Sequence, residues 1–138
     1  MTMPEDQRAY NAQLIEQFRA DHGASMGDRP LLLLTTIGRR TGQPRTTPMM
    51  YVRDGDRLLV IASNAGAPAD PQWYRNLVAH DAVTVEVPGD AFAARATPLT
   101  GDDYERQWSR IKEQYPFFAD HEAGAGRRIP VVALTRTD

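Results

Sequence analysis

A mainly β fold with packed helices (α+β), closing as a split β-barrel of about six antiparallel strands, is the architecture this sequence predicts. Three observations predict it. Short apolar or alternating runs outnumber helical stretches, and most are joined by tight turn signals such as Asp54-Gly55-Asp56 and Pro88-Gly89-Asp90. There are too few helices to cross over a parallel sheet. An antiparallel meander with one wet face must close or be capped to hide its edges, and a small barrel with helices on it does both.

Pro4, Glu5 and Asp6 make a favourable helix start, the acids lying near the positive end of the dipole. Tyr10, Leu14, Ile15 and Phe18 recur at helical spacing up to Gly23, so a helix is expected over about 5–22. Strand signals follow at Leu31–Ile37, between Pro30 and Gly38, at Arg45–Arg53 and at Leu58–Ser63. Asn64–Pro71 reads as a loop. Asp70 is placed to cap a short helix with Pro71 at its first position, carrying Trp73, Tyr74, Leu77 and Val78. Val83, Val85 and Val87 alternate with polar residues, and Phe92, Ala94 and Ala96 do the same, giving two half-buried strands. Thr100 and Asp103 match a capping box for a helix with Tyr104, Trp108, Ile111 and Tyr115 on one stripe, stopped by Pro116. A loop with Gly124 and Gly126 leads to a last strand, Ile129–Leu134. No repeat or linker interrupts the chain, so residues 1–138 are expected to form one domain.

Composition removes whole classes of function. With no cysteine there are no disulfides, no thiolate zinc or iron–sulfur sites and no thiol catalysis. A net charge of −2 and a pI near 5.9 provide no general field for nucleic acid. The acidic, polar start reads as neither a signal nor a transit peptide, and the longest apolar run, Leu31–Leu34, is far too short to span a bilayer. A cytoplasmic protein is expected. Three serines and no G-x-S-x-G argue against a hydrolase, and three scattered histidines (His22, His80, His121) argue against a metal site. No Walker A follows Gly38 and Gly42, and no G-x-G-x-x-G opens a helix.

What stands out is a local field. Of sixteen basic residues all but Lys112 are Arg, and from Pro30 to Arg53 there are four arginines without one acid. Three flank the turn Gly38-Arg39-Arg40-Thr41-Gly42-Gln43-Pro44-Arg45. Glycines that allow close approach and donate amides, with forked guanidinium groups beside them, suit a phosphate or clustered carboxylates. A solvated hairpin tip is the plain alternative. Downstream, Ala62-Ser63-Asn64-Ala65-Gly66 ends a buried strand with small residues against which a flat ligand can lie. Trp73 and Tyr74 then sit adjacent on a short helix, about a hundred degrees apart, so at most one is deep core and the other is left for a π-system.

Four stretches resemble the deazaflavin-dependent nitroreductase family of actinobacteria, oxidoreductases that use coenzyme F420. They are TTIGRRTGQPRTTPMMY (Thr35–Tyr51), LLVIASNAGAPADPQWYRNL (Leu58–Leu77), EQYP (Glu113–Pro116) and RRIPVV (Arg127–Val132). The resemblance covers nearly all of the chain after Asp28 and implies a split β-barrel like that of proteins binding flavin mononucleotide (FMN). It implies that Arg39, Arg40, Thr41 and Arg45 hold the phosphate and tail of the 8-hydroxy-5-deazaflavin coenzyme. Thr46, Thr47, Pro48, Met49 and Met50 would run along the ring, with Ile61, Ala62, Ser63 and Asn64 on the adjacent strand. Gln72, Trp73, Tyr74, Arg75 and Asn76 would close the far side. The family's tyrosine-bearing substrate region keeps Tyr115 here but carries Phe118 and His121 at the matching places, so Tyr115 and Ser63 are the catalytic candidates and Phe118 and His121 line the substrate pocket. The implied activity is hydride transfer from reduced coenzyme to a small electron-poor molecule: a quinone, an enone or a nitro compound. FMN in place of F420, or a non-catalytic carrier of deazaflavin or lipid, are the alternatives. The first helix is a candidate for peripheral membrane contact, and monomer and homodimer both stay open.

Overall fold

The computed structural model describes residues 5–21, 23 and 31–137. Expectations about Pro4, His22 and Pro30 lie outside those residues. The elements, in order, are α1 (Glu5–Ala20), β1 (Leu31–Ile37), β2 (Pro44–Asp54), β3 (Arg57–Ile61), a 3-10 turn (Asn64–Gly66), α2 (Gln72–Ala79), β4 (Ala82–Val87), β5 (Asp90–Pro98), α3 (Gly101–Gln114), α4 (Phe117–Ala125) and β6 (Val131–Arg136). The six strands close into an antiparallel barrel in the order β1-β2-β3-β6-β5-β4, with β4 returning to β1. The predicted barrel is the observed one.

Alternation explains where the core sits. Leu32 and Leu34 of β1, Leu58 and Val60 of β3, and Val132 and Leu134 of β6 point into the barrel with Val83, Val85, Ala94 and Ala96. Leu59, Val131 and Ala133 point outward and are covered by Tyr104, Trp108 and Ile111 of α3 and Phe118 of α4. Leu33 points out beneath Phe18, Leu14 and Ile15 of α1. These strands therefore read as continuous apolar runs because helices bury their second face. The stripe of α1 is occupied by the barrel; Tyr10 stays exposed. Among the described residues no helix is long and apolar enough to cross a membrane.

Several local expectations are corrected. Thr100 makes no capping bond; Asp103 is bonded instead by Arg57 Nη1 at 3.1 Å. Asp70 caps nothing either: α2 starts after Pro71, and the Asp70 carboxylate accepts from Arg127 Nη1 at 2.6 Å. In both cases a guanidinium donor competes successfully with a backbone amide for a carboxylate, the stronger charge-assisted bond winning. The loop expected around Gly124 is the helix α4, with Gly124 inside it and Gly126 ending it at φ +64. Its apolar residues are not confined to one stripe, so no helical period marks it in the sequence. β6 begins at Val131, two residues later than expected, because Pro130 has no amide for the ladder.

Candidate functional site

β2 borders two different environments. It pairs with β1 from Pro44 to Met50, but with β3 only from Tyr51 to Asp54. β3 ends at Ile61 and the chain swings into the 3-10 turn, so among the described residues no strand covers the second edge of Pro44–Met50. Pro48 is tolerated in such a strand because one edge lacks a ladder. The half-buried side chains here divide by strand alternation. Met49 and Tyr51 pack toward the barrel cluster together with Trp73 and Tyr74, and Met50 packs toward the outer layer with Ile61 and Tyr115. Trp73 and Tyr74 meet edge to face at 6.5 Å and both are half-buried, so neither ring is deep core, within the expected limit of one. Burial, with the Asp70 carboxylate adding to it, pushes the Tyr74 phenol up and keeps it neutral.

The basic turn closes on itself. Gly42 N donates to Gly38 O and Gly38 N to Gln43 O, both at 2.8 Å, and Gln43 N donates to Thr41 Oγ1 at 3.2 Å. The glycine amides expected to hold an anion are thus engaged within the turn. Arg39 braces the turn to α2: its amide donates to Asn76 Oδ1 at 3.2 Å and its Nη1 to Gln72 Oε1 at 2.7 Å. Asn76, buried, completes the tie by donating from Nδ2 to Thr36 Oγ1 at 3.2 Å. Arg40 and Arg45 are exposed, and neither has a carboxylate partner among the described residues. Arg75 is exposed on α2. Thr46 shares a hydroxyl hydrogen bond with Thr35 at 2.8 Å and accepts from Arg19 Nη2 at 3.5 Å.

Opposite the turn, the segment from Ala62 to Asp70 wraps around one side chain that the sequence analysis did not single out. Arg127 donates from Nη2 to the carbonyls of Ala62, Ser63 and Ala69 at 3.1–3.2 Å and from Nε to that of Ala67 at 3.1 Å. The signal available for it is the demand side: a strand-leaving segment of small residues has carbonyls with no ladder, and a buried fork beside an apolar strand satisfies them. Asn64 adopts φ +51 and donates Nδ2 to Ala69 O at 3.0 Å, which ties its side chain to the loop. Ser63 is buried, with Oγ 3.2 Å from His121 Nδ1.

α4 brings the last group together. Tyr115 is half-buried at its approach, His121 faces the 3-10 turn, and Phe117 stays 44% exposed. Phe118, expected in a substrate pocket, is only 5% exposed and sits in the outer core against Trp108; its neighbour Phe117 presents the accessible ring. Met50 of β2, Ile61 of β3 and Tyr115 pack against the same outer cluster, which brings the end of the open β2 stretch and α4 to one side of the barrel. At a β rise of about 3.3 Å per residue, Arg45 lies roughly 17 Å along the strand from Met50. Among the described residues no cluster of His, Asp and Glu could hold a metal ion.

A closed antiparallel barrel in which β2, among the described residues, lacks a second strand partner from Pro44 to Met50, with exposed Arg40 and Arg45 at that end, defines the class: a split-barrel protein. The chain matches the family model described as F420H(2)-dependent quinone reductase over residues 8–136, and it belongs to that family. It is 42% identical over 113 residues to an F420H(2)-dependent quinone reductase of Mycobacterium tuberculosis H37Rv, covering 80% of this chain and 76% of that protein. A solved F420-H2 dependent reductase superposes with a TM-score of 0.69 at 33% identity, covering 77% of this chain and 94% of its own. A second solved chain, described as a domain-swapped dimer, gives 0.73 at 30% identity over 96% of this chain and 99% of that one. The protein is an F420H2-dependent reductase, and coenzyme F420 is its cofactor; FMN is not required. The residues are compatible with that group: half-buried side chains border the open edge of β2, and exposed Arg40 and Arg45 have no carboxylate partner among the described residues.

Proposed function

We propose that the protein reduces a quinone with hydride from reduced coenzyme F420, as one barrel domain in which the coenzyme lies along the open edge of β2. The single observation carrying this reading is that edge: the half-buried stretch Thr46–Met50 leads to exposed Arg40 and Arg45, which have no carboxylate partner among the described residues. When bound, the coenzyme supplies a hydride, the carbon that replaces the flavin nitrogen favouring two-electron transfer. Arg40 and Arg45 grip the phosphate and tail by forked, charge-assisted bonds, and Thr41 and Arg75 border the same end. Thr46, Thr47, Pro48, Met49 and Met50 lie along the ring, and Ile61, Ala62 and Ser63 continue the surface. Arg39, Gln72 and Asn76 keep α2 at the correct distance, so that Trp73 and Tyr74 exclude water from the far side. Ser63 and Tyr115 place hydroxyls near the acceptor, where they stabilise charge as it develops on oxygen.

The test is a titration of the purified protein with oxidised coenzyme, followed by fluorescence, and then turnover of reduced coenzyme with a panel of quinones, enones and nitro compounds. Saturable binding with quinone-dependent oxidation is expected, quinones outpacing the other classes. Absence of binding, or oxidation independent of any acceptor, would end the reading.

A further inference from the structure

Hydride alone does not complete the reduction of a quinone. As the electron pair arrives, charge develops on an acceptor oxygen, and that oxygen must take up a proton for a neutral product to leave. Near the end of the open β2 stretch the described side chains offer hydroxyls and one imidazole, that of His121, which can carry a proton on either ring nitrogen. Its Nδ1 lies 3.2 Å from Ser63 Oγ. We propose that Ser63 and His121 form a proton-delivery couple, His121 as the source and the Ser63 hydroxyl as the contact with the acceptor. This rests on the reductase reading above and goes further by naming the acid.

Backbone packing sets the contact from both sides. The Ser63 carbonyl accepts from Arg127 Nη2 at 3.2 Å and from Gly66 N at 2.9 Å, which fixes the residue from which Oγ projects. His121 packs edge to face against both Phe117 and Phe118, ring centroids at 5.5 and 5.7 Å. Gly66, at φ +85, lets the 3-10 turn approach α4 so closely that an added Cβ would lie 3.4 Å from both His121 Cα and its carbonyl oxygen. The charged groups around the imidazole are engaged elsewhere. Glu122 accepts from Lys112 and Trp108 of α3, Arg127 pairs with Asp70, and Asp120 is exposed beside it on α4; Tyr115 adds a phenol at the end of α3.

Charge on the ring decides what Ser63 can do. An imidazolium donates Nδ1–H to Oγ and leaves the serine hydrogen free to point at the acceptor. A neutral ring with its hydrogen on Nε2 accepts from Ser63 instead, and the acceptor receives nothing. In the step, the acceptor gains a hydride from the reduced coenzyme and its conjugated π electrons shift onto oxygen. The Ser63 O–H bond breaks as the acceptor O–H bond forms, and the Nδ1 proton moves to Oγ. Ser63 ends as it began, His121 ends neutral and recovers a proton from water; the acceptor is reduced and the coenzyme oxidised.

The experiment measures reduction of menadione by the full-length protein, as wild type, H121Q, H121F and S63A, from about pH 5.5 to about pH 9. Coenzyme affinity is measured alongside by fluorescence. Wild-type kcat is expected to fall as pH rises through one ionisation. Both His121 variants should bind coenzyme within about twofold of wild type, and they and S63A should lose about 10–100-fold in kcat and show a flattened pH profile. A merely structural His121 would change affinity or unfolding midpoint without flattening the profile. Normal coenzyme binding with an unchanged kcat profile in H121Q, or in S63A should the histidine variants be unstable, overturns the couple and leaves the reductase reading standing. Wild-type protein that binds no coenzyme overturns both.

Discussion

At the Asp54 end of β2, Arg57 donates to the carboxylates of both Asp54 and Asp103, joining the β2–β3 hairpin to α3. At the Pro44 end, Arg40 and Arg45 stand exposed with no carboxylate partner among the described residues, and the Arg39 guanidinium donates to neutral Gln72. The same side chain serves two purposes, and acidic neighbours separate them. Where acids are supplied, the pairs are internal and lock elements together. Where they are withheld, the charge is kept for something outside the chain. The Asp103 and Asp54 carboxylates hold the Arg57 guanidinium protonated beyond its ordinary range, and Arg57 in turn holds Asp54 below the usual carboxylate range.

Three measurements break or sharpen this contrast. The largest effect belongs to the unpaired end: R40A/R45A should weaken binding of oxidised coenzyme by roughly 100-fold or more, each charge-assisted bond contributing at least about 1.5 kcal/mol. The unfolding midpoint should hardly move. Equal affinity in a fluorescence titration would show that these arginines are a solvated hairpin tip. At the paired end the pattern should invert: R57A leaves two carboxylates facing each other, so Tm should fall by about 3–6 °C while coenzyme affinity stays within about twofold. Loss of affinity matching that of the first variant would erase the distinction.

The smallest effect is in acid. Asp54 and Glu122 both have folded-state pKa values below their ordinary ones. Hydrogen bonding from Arg57 is the main cause for Asp54. For Glu122, burial pushes upward but is outweighed by the Trp108 N–H and Lys112. A depressed carboxylate stabilises the fold fully above its unfolded value, near 4, and loses that contribution as pH falls through the folded value. Urea midpoints should therefore decline below about pH 4, and D54N should make that decline shallower. A midpoint that rises on acidification would contradict the sign.

Reading the chain alone located the strands closely, because turn chemistry and alternation are local. Leu31–Ile37 is reproduced residue for residue, and Val83–Val87 lacks only Ala82. The caps failed for one shared reason. Thr100/Asp103 and Asp70/Pro71 satisfy the local rules, yet Arg57 and Arg127 arrive from 46 and 57 residues away and take the carboxylates. α4 escaped because its apolar residues follow no helical period; packing against Trp108 and the 3-10 turn makes it a helix. At the candidate site, the charge run and the adjacent aromatics were visible, but which donors stay free was not. Gly38 and Gly42 close their own turn, Phe118 turns inward, and Arg127 gathers four carbonyls.

Residue order by itself determined the antiparallel barrel, its two-faced strands and an acid-free cluster of guanidinium groups, since each follows from spacing and composition along short stretches. Tertiary structure alone decided that β3 would leave β2 at Ile61, that Arg39 would tie the basic turn to α2, and that Ser63 would meet His121 across 58 residues of chain. Such contacts depend on how closed surfaces pack against each other, and no local pattern carries that information.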